Sequence, residues 1–328
     1  MRHRILHLTA FIALMANLMA CAQSPSSPTP CEPTAGSEGP AVYFTADISA
    51  EALVRIFEAL GVEPQGRVAV KISTGESQQS HQLAPELIMP LVERVHGTLV
   101  ECNTAYPFSS RAKTKSHKKE VQRRGYGHVD IMDAEGTMRL PVRDTTYIKY
   151  DEVGSHLANY DFMIDLSHFK GHAMGGFGGA LKNLSIGVAS RSGKFYIHSA
   201  GATSSHWKTA EQDAFLECMA TAAEAVHRHF KQEGRNIVYI NVMNNLSIDC
   251  DCDGHPAAPR MKDVGILAST DPVALDKACL DLVFGHENAE GDDAGPLQER
   301  VNRKHSTHII THAERLGLGS SRYRLVEL

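Results

Sequence analysis

Residues 162–190 read FMIDLSHFKGHAMGGFGGALKNLSIGVAS and give the clearest indication of the fold class. Its first five residues, Phe162–Leu166, form an apolar run that predicts a buried strand. A glycine-rich segment follows directly, and Gly179–Asn183 is predicted to open a helix. A buried strand, a tight turn and a helix in this order are typical of an α/β sheet, whose loops at the strand ends carry functional sites.

Strand and helix patterns alternate along the rest of the chain. Apolar or β-branched runs predict strands at 67–73, 98–102, 128–133, 236–242, 264–268 and 323–328. Helical spacing predicts helices at 49–60, 85–96, 211–233 and 271–284, with two more within 292–316. The predicted fold is α/β and two-lobed, with mixed, mostly parallel sheets and helices on both faces. The predicted body spans 41–328, with possible lobes at 41–150 and 151–328.

Composition limits the possible classes of protein. The chain has 328 residues, of which 42% are hydrophobic, and this excludes a disordered or collagen-like protein. The formal net charge is −5 and aromatic residues make up 6%, so no nucleic-acid partner is expected. The 18 histidines hint at metal binding or proton transfer, because imidazole suits both near neutral pH.

The N-terminus has the pattern of an export signal. Two arginines precede a short apolar segment, and Leu18–Cys21 resembles a bacterial lipobox, in which Cys21 becomes the lipidated first residue. We therefore expect a lipoprotein signal peptide at 1–21 and a flexible Ser/Pro-rich tether at 22–40. No aspartate follows Cys21 to favour retention at the inner membrane, so the predicted location is the periplasmic side of the outer membrane. A cleaved signal with an incidental cysteine is the alternative.

The glycine-rich segment, 167–190, is the first candidate site. Glycine at this density lets backbone amides approach a ligand closely, and the predicted helix start favours an anion. The candidate ligand-binding residues are Lys170, Gly175, Gly176, Gly178, Gly179 and Asn183, and His168 is a candidate metal ligand. A glycine-rich turn with exposed histidines is the alternative.

Residues 244–261, NNLSIDCDCDGHPAAPRM, form the second candidate site. Cys250, Cys252 and His255 offer soft ligands for zinc or iron, and we predict that both thiols lie within about 10 Å of the Lys182 ammonium. The DxDxDG pattern imitates a calcium loop, but Arg260 stands where that loop needs a bidentate glutamate, so calcium is rejected. An acidic turn with two thiols is the alternative.

A basic run at 111–124 is the third feature with possible function. Its alternation of lysine and arginine favours a solvated helix face over a surface that collects an anionic ligand.

Three segments together carry a resemblance to a known family. GGALKNL at 178–184, DCDC at 249–252 and DVGILASTDPVALDKA at 263–278 resemble the bacterial family named domain of unknown function 362. Many relatives carry two ferredoxin-like cysteine clusters between the first two of these segments, whereas 199–235 here contains only Cys218. The resemblance therefore implies the family fold without a ferredoxin-type cluster.

The segment 178–190 is also similar to the active-site segment of the nickel-pincer lactate racemase family. In that family a histidine precedes a cofactor-bearing lysine and a second histidine follows, as in His172-x9-Lys182-x15-His198 here. The similarity implies that His172 is a catalytic acid/base, that Lys182 is the catalytic cofactor anchor and that His198 is a metal ligand. The family's second catalytic histidine has no clear match in this chain.

These observations predict an exported metal-binding enzyme of redox or isomerase type. Its predicted substrate is a small anionic molecule bound between the two lobes, and its predicted metal is iron, zinc or nickel. Its other predicted contact is with the membrane, through the N-terminal acyl chains. The alternatives are a non-catalytic surface lipoprotein that binds a metal or ligand, and a degenerate relative that has lost its iron–sulfur chemistry.

Overall fold

The computed structural model describes residues 38–328, which belong to one compact unit. The predicted signal peptide, Cys21 and most of the predicted tether lie outside the described residues. Among the helices of residues 38–328, none combines the length and the apolar character that crossing a membrane requires.

The described residues contain twelve strands and nine helices. The strands are β1 (Ala41–Thr45), β2 (Val68–Lys71), β3 (Thr98–Glu101), β4 (Val129–Ile131), β5 (Thr137–Leu140), β6 (Asp151–Gly154), β7 (Phe162–His168), β8 (Lys170–His172), β9 (Gly176–Gly178), β10 (Asn236–Met243), β11 (Gly265–Ser269) and β12 (Arg324–Glu327). The helices are α1 (Ala50–Ala59), α2 (Pro85–Arg94), α3 (Thr114–Arg123), α4 (Ala180–Lys182), α5 (Arg191–His198), α6 (Gln212–Phe230), α7 (Pro272–Phe284), α8 (Gly295–Arg303) and α9 (His308–Arg315).

Eight of these strands form one sheet, in the order β12-β1-β11-β10-β7-β2-β3-β4. In this sheet β11 is antiparallel to its neighbours β1 and β10, and the other neighbouring pairs are parallel. The predicted α/β class with a mostly parallel sheet is confirmed. Both predicted ranges contribute strands to this sheet, and β1, from 41–150, lies between β11 and β12, from 151–328.

Side chains of the central strands alternate between two hydrophobic cores, one on each face of the sheet. In β7, Phe162, Ile164 and Leu166 pack in the core that includes α1 and α2, whereas Met163 packs in the core that includes α6 and α7. Adjacent residues face opposite ways because a strand has a side-chain period of two. The predicted placement of helices on both faces is therefore confirmed.

Most predicted elements occur close to their predicted bounds. The predicted helix at 271–284 is α7, and Asp271 caps it by accepting the N–H groups of Val273 and Ala274 at 2.9 Å each. The sequence patterns do not predict β1, β5, β6, β8, β9 or α5. Strands β5 and β6 are short and polar and form their own two-stranded sheet, while α5 contains Gly193, which lowers helix propensity.

The carboxyl ends of β2, β3 and β7 meet at one edge of the sheet because these strands are parallel neighbours. Lys71, Glu101 and His168 are the last residues of these three strands, and all three are buried. Charged and polar side chains are therefore concentrated at this edge, where ligands bind in many parallel sheets.

A buried carboxylate on α7 holds the helix start that follows β9. Asp276 accepts the N–H groups of Ala180 and Leu181 at 2.8 and 2.9 Å, and the side-chain amide of Asn241 at 2.8 Å. Burial raises the pKa of Asp276 to about 6, although these three donors oppose the shift. A Cβ on Gly179 would lie 2.4 Å from Oδ1 of Asp276, so this close approach requires glycine.

We predict that Gly179→Ala lowers the free energy of unfolding by about 3 kcal/mol, because the added methyl group displaces the Asp276 carboxylate. Gly254→Ala is the matched control, since the atom nearest to a Cβ there is Cβ of Ser77 at 3.9 Å. Urea unfolding followed by circular dichroism measures both changes. Equal stability of the two variants would contradict the role given to Asp276.

Candidate functional site

A cavity of about 790 Å³, mouth included, opens at this edge of the sheet. Its walls come from the strand ends, from the glycine-rich segment and from the loop that holds the two neighbouring cysteines. Most of the predicted site residues line it, namely His168, Lys170, His172, Gly178, Gly179, Lys182, Asn183, His198, Cys250 and Cys252. The two candidate sites of the sequence therefore form a single cavity.

Three predicted residues, Gly175, Gly176 and His255, are not part of the cavity wall. His255 is exposed, and its Nδ1 lies 2.6 Å from Oε1 of Gln79. Gly176 has a φ of +82°, and a Cβ there would lie 1.5 Å from Oγ of Ser306. The structure thus corrects two predictions: His255 does not face the other candidate metal ligands, and packing rather than ligand contact explains Gly176.

Cys250, Cys252 and His172 form a compact set of soft donor atoms. The two sulfurs and a ring nitrogen of His172 lie within 4.8 Å of one another. Nζ of Lys182 lies 3.5 Å from Sγ of Cys250, which confirms the predicted proximity of the cysteine loop to Lys182.

The two thiols of this set differ in protonation. A hydrogen bond from Cys252, together with the charges of Lys182 and Lys170, holds the pKa of Cys250 well below its usual range despite burial. The same hydrogen bond and burial raise the pKa of Cys252 well above its usual range. Burial alone would lower the pKa of Lys182, but the charge of the neighbouring Cys250 raises it above its usual value. These shifts favour a Cys250 thiolate paired with the Lys182 ammonium.

His172 is held with its hydrogen on Nε2. Nδ1 accepts the N–H of Gly175 at 2.7 Å, so a neutral ring carries its hydrogen on the other nitrogen. Burial, followed by the charge of Lys182, lowers the pKa of His172 well below its usual range and keeps the ring neutral. Metal binding by His172 therefore requires that Nδ1 lose the hydrogen bond from the Gly175 amide. Nδ1 then either binds the metal itself or takes the proton from Nε2, which binds the metal instead.

His198 has the opposite tautomer. Its Nδ1 donates to the carbonyl oxygen of Lys194 at 2.7 Å, so Nε2 carries the lone pair. The ring lies between Trp207 and Phe215, at centroid distances of 4.7 and 4.9 Å. Burial lowers the pKa of His198 to about 4, with further contributions from the charges of Lys182 and Lys194. A neutral ring with a free Nε2 is the form that accepts a proton or binds a metal.

His168 has oxygen partners at both ring nitrogens. Nδ1 lies 2.8 Å from Oδ1 of Asp251, and Nε2 lies 2.6 Å from the carbonyl oxygen of Asn244. Oδ2 of Asp251 also lies 3.0 Å from Nζ of Lys170. Both ring nitrogens are thus directed at oxygen atoms of the protein, and the structure assigns to His168 the orientation of Asp251 rather than the predicted metal contact.

Three charged residues of the cavity carry no recognisable motif. Lys71 and Glu101 are each the last residue of a buried strand. A charged residue at the end of an apolar run is the sequence pattern that would have predicted them as site residues. Arg111 belongs to the basic run that we predict to be a solvated face. Lys118 and Lys119 are exposed as predicted, but Arg111 is buried, with Nη1 2.8 Å from Oε1 of Glu101.

The donor set fits a metal ion. Two cysteine sulfurs and one imidazole nitrogen are the protein ligands of one type of open zinc site, which keeps a fourth position for water or substrate. Thiolate and imidazole ligands also suit iron and nickel.

The fold and the site define an α/β protein with a buried, cation-lined cavity at the carboxyl edge of its sheet. The chain belongs to the family described as domain of unknown function (DUF362), whose model matches residues 68–281, more than half of the chain. A search of curated proteins gave no match. One matching solved structure is the crystal structure of a Thermotoga maritima protein, a structural-genomics target, with a TM-score of 0.41 and 16% identity. The match covers 70% of this chain and 57% of that one, so it spans less than two thirds of the Thermotoga protein.

We predict that iodoacetamide alkylates Cys250 at pH 6 nearly as fast as at pH 8.5, because a depressed pKa keeps the thiolate populated at the lower pH. Lys182→Met removes the ammonium beside the sulfur and should slow alkylation at pH 6 by about tenfold. Lys118→Met, which changes an exposed lysine outside the cavity, should leave the rate unchanged. Peptide mass spectrometry reads each site, and alkylation of Cys250 only at alkaline pH would contradict the thiolate.

Proposed function

We propose that this protein is an exported, membrane-anchored lipoprotein and an enzyme of redox or isomerase type that acts on a small anionic substrate. The export pattern at 1–21, with Cys21 as the acylated residue, supports the location on the periplasmic side of the outer membrane. One observation supports the enzymatic proposal: the soft donor atoms of Cys250, Cys252 and His172 share a cavity with five cationic side chains. These are the side chains of Lys71, Arg111, Lys170, Lys182 and Lys194.

Anion binding is supported by two of these cations, which have no anionic partner within hydrogen-bond distance in residues 38–328. Nζ of Lys71 donates to the carbonyl oxygen of Ile72 at 2.6 Å and to Oδ1 of Asn183 at 2.9 Å, and Nζ of Lys194 donates to the carbonyl oxygen of Ala189. Burial lowers the pKa of Lys71 to about 8, so the surrounding protein does not fully compensate the ammonium for its loss of hydration. A carboxylate or phosphate bound here would supply the missing negative charge.

Metal binding is supported by Cys250, Cys252 and His172, which together leave one coordination position open. A metal held there would polarise a carbonyl or hydroxyl oxygen of the substrate. His198, whose Nε2 is free, would accept a proton from the substrate, and the Lys182 ammonium would donate hydrogen bonds to the substrate anion. In this arrangement His172 and His198 exchange the roles that the racemase resemblance implies.

A second candidate function is thiol–disulfide exchange. It is favoured by the two sulfurs, which lie within 4.8 Å of each other and whose pKa values are shifted in opposite directions. The Cys250 thiolate would attack a substrate disulfide and release one thiolate. Cys252 would then lose its proton, attack Cys250 and release the second thiolate. The products are a Cys250–Cys252 disulfide and two substrate thiols, so two electrons pass from the protein to the substrate.

Elemental analysis tests the leading proposal. We predict that Cys250→Ser and His172→Ala each bind about one equivalent less iron, zinc or nickel than the wild type, because each removes one of three ligands. The full chain is purified in detergent without chelator or nickel affinity resin. His255→Ala is the matched control, since this exposed histidine lies outside the cavity.

The possible outcomes separate the candidate functions. A metal that depends on Cys250, with turnover of small hydroxy or oxo acids, supports the enzyme. The same metal without turnover of any carboxylate tested would contradict catalysis and indicate a binding protein. A wild type that stays metal-free after reconstitution, yet reduces a disulfide substrate with one Cys250–Cys252 disulfide formed per turnover, would replace the metal proposal with thiol–disulfide exchange.

A further inference from the structure

A second group of metal-binding side chains lies where α6 packs against α9, and none of its members lines the cavity. Asp213 and Glu217 are one turn apart on α6, and His308 and His312 are one turn apart on α9. A loop residue and a residue of the turn before α9 complete the group. We call it the histidine–carboxylate cluster, and it consists of Asp144, Asp213, Glu217, His305, His308 and His312.

The outer half of this cluster has the spacing of a metal site. Ligand atoms of Asp213, His305 and His308 all lie within 4.8 Å of one another. Nδ1 of His305 lies 2.7 Å from Oδ1 of Asp213, and Nε2 of His308 lies 2.8 Å from Oε1 of Glu217. The rings of His305 and His308 stack with a centroid distance of 5.2 Å. Two imidazoles therefore face two carboxylates across the helix interface.

The inner half contains a buried imidazole without a hydrogen-bond partner. His312 is 6% exposed, and neither ring nitrogen makes a hydrogen bond within residues 38–328. Nε2 lies 3.3 Å from Oδ2 of Asp144, and Nδ1 lies 3.7 Å from Oε1 of Glu217. The His312 ring is thus a buried polar group that faces two carboxylates without a hydrogen bond to either of them.

The cluster therefore places three carboxylates and three imidazoles at one helix interface. Asp144, Asp213 and Glu217 each have a histidine as their ion-pair partner. A divalent cation would offset the charge of the carboxylates and would accept lone pairs from the imidazoles.

We propose that the histidine–carboxylate cluster is a second metal site of this protein, for a divalent ion of borderline softness such as zinc. Asp213, His305 and His308 are its ligands, and the half-exposed position leaves room for water as the fourth. Glu217 and His312 hold these ligands from the inner side, as outer residues of metal sites do. A metal bound here would link α6 to the turn before α9 and to α9 itself. Its binding would not require the ligands of the cavity.

Calorimetric titration of the metal-free full chain with zinc chloride tests this proposal. Asp213→Asn, at a half-exposed position, should weaken binding of one equivalent by about tenfold or more, and His308→Gln should do the same. His128→Gln, an exposed histidine outside the cluster, is the matched control. Near-ultraviolet circular dichroism of each variant verifies that the fold is retained.

Cobalt substitution separates this site from the cavity. Cobalt at the histidine–carboxylate cluster should show visible ligand-field bands, without the near-ultraviolet thiolate charge-transfer band that requires Cys250 or Cys252. The cavity site adds its own ligand-field bands, so the test is made in Cys250→Ser, where the thiolate site is disrupted. Loss in Asp213→Asn/Cys250→Ser of the ligand-field bands that remain in Cys250→Ser supports the proposal. Two results would overturn the proposal. One is a zinc affinity that is unchanged in both cluster variants, and the other is complete loss of zinc binding in Cys250→Ser.

Discussion

The buried carboxylate of Asp251 is the interaction on which the site depends. It contacts His168 and Lys170, at the end of β7 and the start of β8, and thereby fixes the cysteine loop to the sheet edge. The two residues beside it, Cys250 and Cys252, line the cavity instead. Burial opposes the charge of Asp251, but Lys170 and His168 hold its pKa far below the usual range. Without this carboxylate, Lys170 would be buried without its ion-pair partner and the cysteine loop would lose its anchor.

The distribution of positive charge explains most of the chemistry of the cavity. Lys170 and Arg111 are neutralised by Asp251 and Glu101, and Lys182 is paired with the Cys250 thiolate. Burial is the main reason why protonation of His172 and His198 is disfavoured, and the charge of Lys182, which also favours the Cys250 thiolate, adds to this effect. Because further lysine charge remains without an anionic partner, the cavity is arranged for an anion before any ligand enters.

Much of the fold and of the site composition can be predicted from the sequence, because both follow from local patterns. The apolar run Phe162–Leu166 and the glycine-rich segment after it are sufficient to predict β7 and the position of the site. The burial of Arg111 and the exposure of His255 depend on tertiary contacts that no local pattern reveals. The tautomers of the cavity histidines depend on single backbone groups, the amide of Gly175 and the carbonyl of Lys194, and these become visible only in three dimensions.

X-ray absorption at the K-edge of the metal in the purified full chain identifies the ligand atoms of the cavity site themselves. We expect two sulfur ligands at about 2.3 Å and one imidazole nitrogen at about 2.0 Å, typical distances for zinc. These are the contributions of Cys250, Cys252 and His172. With Asp213→Asn used to remove the second site, a first shell made only of nitrogen and oxygen would contradict this expectation.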